Sequence, residues 1–155
     1  MDPSPRLLIL GIGNLLMGDE GVGVHAIQVL QKEPMPAGVE LVDGGTGGFH
    51  LLSYLSEYPT VILIDAIMDG RDSGTVAIAK PQFLSDYPRS LGAHDIGLRD
   101  LIESAALLGP LPVMHLITVS IAEIRSGTTE LTPAVQQALV DVVASVRIIL
   151  RAENS

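Results

Sequence analysis

Five short, nearly uninterrupted apolar runs punctuate the chain: Leu7–Gly11 (LLILG), Val39–Asp43 (VELVD), Val61–Ala66 (VILIDA), Thr75–Lys80 (TVAIAK) and Val113–Ile121 (VMHLITVSI). None alternates strictly between apolar and polar positions. Runs of that kind belong to strands covered on both faces. The stretches between them carry apolar residues at helical spacing. Gly21–Lys32 sets Val24, Ile27 and Leu30 on one stripe, and Ile96–Leu108 does so with Leu98, Leu101, Ile102, Ala105 and Leu108. Pro133–Ala152 carries Val135, Leu139, Val142, Val143, Val146 and Ile149, while Phe49–Glu57 is a shorter helical stretch. Thr132 is placed to cap the last helix, and Pro133 falls in its first turn, where a missing N–H costs nothing. The order β-α-β-α-β-β-α-β-α predicts an α/β fold of three layers, a twisted, mostly parallel five-stranded sheet with helices on both faces. Thr75–Lys80 follows the third run after the short polar turn IMDGRDSG, so it reads as one antiparallel edge strand. No repeat, low-complexity tract or long linker divides the chain, and residues 1–155 read as a single domain.

Composition narrows the chemistry. The apolar fraction is 47%, and only two Phe and three Tyr contribute aromatic rings, so the core must be aliphatic. The net charge of −9, with no local Lys/Arg cluster, argues against nucleic acid and anionic membranes as partners. The absence of cysteine removes disulfides, thiolate metal sites and a thiol nucleophile together. The opening MDPSPRLLILG carries an acid at position 2, its apolar run ends at once on glycines, and no stretch approaches the ~18 uninterrupted apolar residues of a membrane helix. A cytoplasmic monomer that meets its partners transiently is the expectation.

The first strand–turn–helix junction, LLILGIGNLLMGDEGVGVH, has the outline of a nucleotide-binding loop without its chemistry. Gly11 and Gly13 fit a dinucleotide fingerprint, but its third glycine position is Leu16, and no Gly-Lys-Ser/Thr follows. Asp19 and Glu20 stand where a phosphate would bind and would repel it. A helix N-terminus keeps such acids ionised, which suits a cation. The plain alternative is that Asp19 caps the helix and Glu20 decorates its first turn.

In an open α/β sheet ligands collect at the carboxyl ends of the strands. The second run ends in VDGGTGGFH, where Asp43 precedes four glycines around Thr46, either a surface for an extended peptide or anion or a tight turn. The third ends with Asp65 after four apolar residues, and a carboxylate there must be paired, hydrogen-bonded or bound to a metal. Of the four histidines, His115 lies within a strand and reads as a core residue with a satisfied ring. His25 and His50 read as surface or boundary positions on helices. His94, beside Asp95, stands in the loop before a helix, where α/β folds present catalytic groups. Glu20, Asp65 and His94 together would offer two carboxylates and one imidazole, a set suited to Ni²⁺ or Zn²⁺ with water in the open positions. No H-E-x-x-H, G-x-S-x-G or cysteine carries a commoner hydrolase mechanism.

The motifs GIGNLLMGDEGVG (11–23), VDGGTGG (42–48), ILIDAI (62–67), AHDIGLRDLI (93–102) and LTPAVQQAL (131–139) occur in the order seen in the hydrogenase maturation endopeptidases, which the chain resembles over nearly its whole length. The resemblance implies a protease that removes a short C-terminal extension from the large-subunit precursor of a nickel–iron hydrogenase once nickel is inserted. It implies metal contact by Glu20, Asp65 and His94, and places the family's further acid, near the cleavage site, at Asp43. Nickel is then the ion carried by the substrate, and zinc or cadmium could occupy the site in vitro. Catalytic parts are assigned on this basis to Asp43, Glu20 and Asp65. The metal either activates water or licenses binding only, in which case Asp43 is the candidate general base. Many relatives have Asp-Asp where this chain has Asp19-Glu20, and the segment SIAEIRSGTTELTP (120–133) is less glycine-rich than the family pattern. That loop is expected to help choose the substrate. The alternatives are a non-catalytic nickel-binding hydrogenase assembly factor, a nucleotide-binding regulator, and a germination-type protease of related fold.

Overall fold

The structure, a computed structural model, describes residues 6–46, 48–88 and 97–153. Its strands are β1 (Leu7–Gly11), β2 (Val39–Asp43), β3 (Thr60–Ile67), β4 (Val76–Ala79) and β5 (Val113–Ser120). Its α-helices are α1 (Val22–Leu30), α2 (Leu52–Glu57), α3 (Leu98–Leu108) and α4 (Pro133–Glu153). The five strands form one sheet in the order β2-β1-β3-β5-β4, parallel except for β4, which runs antiparallel to β5. The expected α/β sandwich is present, and β1 and β2 have the bounds read from the sequence.

Burial on both faces explains why the strands do not alternate. On one face Leu7, Ile9, Ile62, Ile64, Ile117 and Val119 pack against α1 and α4. On the other, Leu8, Leu10, Val61, Leu63 and Leu116 pack against α2 and α3. Every residue of β1 is buried, and each fully buried Leu or Ile contributes about 2 kcal/mol. Over its 21 residues α4 is long and apolar enough to match a bilayer-crossing helix, but its stripe from Val135 to Leu150 is packed on the sheet.

The edge strand took a different neighbour from the one its short connection suggests. β4 makes no hairpin with β3; β5 lies between them. Residues 68–75 cross the end of β5 instead. There the Gly74 N–H donates to the Ser120 carbonyl (2.8 Å) and the Ser120 N–H to the Thr75 carbonyl (2.8 Å). Crossing two strand spacings, about 10 Å, is within reach of eight residues. Placing β5 inside the sheet covers both edges of an eight-residue apolar strand.

Two glycines set how closely α1 lies on the sheet. A Cβ at Gly11 would stand 2.2 Å from the Gly23 carbonyl oxygen. One at Gly23 would stand 2.4 Å from the carbonyl oxygens of both Ile12 and Ile64. The 3-10 turn Gly18–Gly21, which leads directly into α1, is thereby drawn over the carboxyl ends of β1 and β3.

Candidate active site at the carboxyl ends of the strands

Gly11, the last residue of β1, pairs with Asp43 on one side and with Ile64 on the other. Asp43 and Asp65 therefore belong to strand ends on either side of β1, about 10 Å apart across two strand spacings. Their environments differ. β2 is an edge strand and Asp43 is exposed at its end. Its Oδ1 accepts the Gly45 N–H at 2.8 Å, and Gly45 has φ +54°, so the acid closes a turn that needs glycine. Asp65 lies in central β3 and is buried, with Oδ1 accepting the Ala66 N–H at 2.9 Å. By strand alternation it shares the face of Val61 and Leu63, the face that α3 covers.

Glu20 is also buried and sits in the 3-10 turn. Its Oε2 accepts the Asn14 N–H at 2.6 Å. The close packing of residues 13–14 on 20–21 makes that bond possible: a Cβ on Gly13 would lie 2.4 Å from the Glu20 carbonyl oxygen, and one on Gly21 would lie 2.9 Å from that of Asn14. The turns after β1 and β2 are joined as well. The Gly44 N–H donates to the Gly11 carbonyl (2.8 Å) and the Gly13 N–H to the Gly45 carbonyl (2.7 Å).

Asp19 does not cap its own helix. The turn begins after Met17 with no side-chain cap, and the Asp19 carboxylate reaches Thr132 at the start of α4. It accepts the Thr132 N–H on Oδ1 and the Thr132 hydroxyl on Oδ2, both at 2.7 Å. The hydroxyl expected to cap α4 thus donates to an acid that is itself favourably placed at that helix's positive end.

His94 and Asp95 lie outside the described residues, and among those described no three His, Asp or Glu residues gather to hold a metal. Of the three expected ligands, Glu20 lies in the turn between β1 and α1, and Asp65 lies in β3, two residues before that strand ends. The helix that follows His94 in sequence, α3, packs Leu98 and Leu101 on the same face as Asp65. The other histidines stand apart from this pair in their contacts. His115 is partly buried near the start of β5, and its Nε2 bonds Glu153 of α4 at 2.6 Å, so its ring is satisfied at the core's margin. His50 is exposed, and His25 is half-buried with its Nε2 enclosed.

A further acid, Asp69, follows β3. Burial opposes ionisation of Asp69, but the Ser120 hydroxyl (2.9 Å), the Arg71 N–H (3.1 Å) and the Arg71 guanidinium outweigh it and hold its carboxyl below the ordinary value. Two apolar grooves lie toward the opposite end of the sheet. One of about 470 Å³ is lined by Phe83, Tyr87, Ile102 and Met114, and one of about 520 Å³ by Leu52, Leu55, Ala105 and Leu111. The acids thus stand apart from both grooves. Asn14 and Thr132, which hold the two turn acids, escape a reading of the sequence. Asn14 acts through its backbone, and Thr132 is 113 residues from its partner.

Fold and site together define an open α/β protein with carboxylates presented from glycine turns at its strand ends. The family model described as HycI, hydrogenase maturation protease, matches residues 24–149. The hydrogenase 2 maturation protease of Escherichia coli (strain K12) is 32% identical over 149 residues, covering 92% of this chain and 91% of that protein. The solved structure of the hydrogenase maturating endopeptidase HybD from E. coli superposes with a TM-score of 0.76 at 30% identity, covering 92% of each chain. The hydrogenase expression/formation protein HupD of Thiocapsa roseopersicina is 34% identical over 155 residues, and this chain spans 68% of its length. For HupM of Azotobacter chroococcum that span is 60%. The chain belongs to the hydrogenase maturation protease family.

Proposed function

We propose that this protein is an endopeptidase that removes the C-terminal extension of a nickel-loaded hydrogenase large-subunit precursor. The observation that carries the proposal is the pair of buried carboxylates, Glu20 in the turn after β1 and Asp65 in the β3 strand that this turn packs against, in a member of a protease family. Each accepts a backbone N–H, and a carboxylate has further lone pairs with which it can bind a borderline divalent cation such as the nickel already seated in the precursor. In this reading Glu20, Asp65 and His94 contact the substrate's nickel. The precursor's extended C-terminal segment lies along residues 43–48, whose glycines admit close backbone approach. Water adds across the scissile peptide bond, leaving a carboxylate on the mature subunit and a free amine on the released peptide. Asp43, exposed beside that path, is the general base that takes the proton from the attacking water.

The test is cleavage of a nickel-loaded and a nickel-free precursor, read by mass spectrometry of the released peptide. Release is expected only with nickel. Glu20→Gln, Asp65→Asn and His94→Ala should abolish it, and Asp43→Asn should slow it about a hundredfold while precursor binding persists. Nickel-dependent binding with no peptide released would instead identify a non-catalytic assembly factor.

A further inference from the structure

The segment between β5 and α4, residues 121–132, runs along the turn that carries Glu20 and is fastened to it on both sides. The N–H groups of Gly127 and Thr128 donate to the Leu16 carbonyl (2.8 and 3.1 Å), and the Gly18 N–H donates to the Thr128 carbonyl (2.8 Å). These bonds form a short parallel bridge between Met17 and Thr128. One residue further on, both oxygens of Asp19 are taken by Thr132. Ile124 and Leu131 anchor the segment against the α1/α4 side of the core. Arg125 lies against Gly18, 3.4 Å from where that residue's Cβ would stand, and its guanidinium donates to the Glu130 carbonyl at 3.1 Å. The three residues before Glu20 are thus clamped, and Glu20 leaves the clamp to accept the Asn14 N–H.

Asp19 is 2% exposed, and its two bonds are of the charge-assisted kind. Moving it would strand a buried carboxylate. Thr132 cannot follow such a movement either, because its carbonyl accepts the Gln136 N–H and begins the 21-residue helix α4. A cap alone would need one oxygen of Asp19. Both are used, and the next residue is Glu20.

We infer that Asp19 and Thr132 are positioning residues: through them the start of α4 sets the place of the Glu20 carboxylate at the sheet edge. The consequence for cleavage rests on the function proposed above; the placement itself does not. The Asn14 amide, bonded to Glu20, reports that placement directly, and the amide of Ile62, fully buried in β3, reports the whole fold.

The experiment compares wild type with Thr132→Val, which deletes the hydroxyl bond, Thr132→Ser, which keeps it, and Asp19→Asn, which removes the charge. Hydrogen exchange at Asn14 should rise about tenfold more than at Ile62 in Thr132→Val and Asp19→Asn, and Thr132→Ser should stay at the wild-type ratio. KM for the nickel-loaded precursor should rise about tenfold in the first two variants, with kcat within about twofold of wild type. Equal acceleration at Asn14 and Ile62, or none at Asn14, would overturn the positioning role. Selective acceleration with KM unmoved would overturn its functional consequence. A folded wild type that released no peptide would overturn the proposed function, and the exchange ratio would still decide the placement of Glu20.

Discussion

The two glycine turns at the carboxyl end of the sheet look alike in one dimension and differ in three. The turn after β1 (GIGNLLMGDEG) and the turn after β2 (DGGTGG) each combine an acid with glycines. In the first, the glycines are there because other backbone occupies the space a side chain would need: Gly13 lies on Glu20 and Gly21 on Asn14, and just beyond, Gly23 lies on Ile64. Its acids are buried and each bonds a distant or looped-back partner. In the second, Gly44 is packed against Gly11 and Leu10, but Gly45 has open space around it and φ +54°, and Asp43 is exposed and bonds only two residues away. A packed turn holds its acids in fixed positions against a low-dielectric core, while an open turn leaves its acid accessible to water and to a peptide. That division matches the two parts of the proposed function, metal contact at the packed turn and peptide access at the open one.

One added methyl group beside each turn should have very different effects. Gly23→Ala forces a Cβ to 2.4 Å from two carbonyl oxygens and should cost about 3 kcal/mol, read as a fall in the urea midpoint. Gly45→Ala meets no atom within 4 Å and pays only for its left-handed backbone, about 1 kcal/mol. Equal losses would show that the first turn is not packed as described. Next come the acids. Asp19→Ala leaves the part-buried Thr132 N–H without its acceptor and should cost about 2 kcal/mol, whereas Asp43→Ala, losing one exposed turn bond, should cost about 0.5 kcal/mol. Thermal unfolding of the two variants side by side decides the order.

The smallest effect belongs to Asp69, at the same edge but held by a side chain from β5. Its carboxyl is depressed in the folded state, so its contribution to stability is complete above the ordinary carboxylate range and is lost as pH falls through the folded value. Ser120→Ala should therefore lower Tm at pH 6 by more than it does near pH 3. A gap that stayed constant across that range would remove Ser120 as the cause.

Much of the architecture was legible from local pattern. β1 and β2 begin and end where the apolar runs do, because a strand buried on both faces writes its burial into consecutive residues. Pro133 marks the start of α4, since proline suits only a helix's first turn. β4 was legible as an antiparallel edge strand, but its neighbour was not, because a short connection limits distance without choosing a pairing partner, and β5 arrives later in the chain to take the position between. Among the candidate site residues, Glu20, Asp43 and Asp65 were visible as acids at strand ends or the helix start. His94 was read from its loop and lies outside the described residues.

The layers and the acids that follow the apolar runs were readable in the chain alone, because both follow from neighbours within a few positions. The contrast in burial between Asp43 and Asp65 depends on long-range contacts. Asp43 ends an edge strand and Asp65 lies within a central one, a difference made by the order of the strands in the sheet. The tertiary structure also decided what Asp19 does. A carboxylate's role is set by the donors within about 3 Å of it, and those of Asp19 come from a residue 113 positions away.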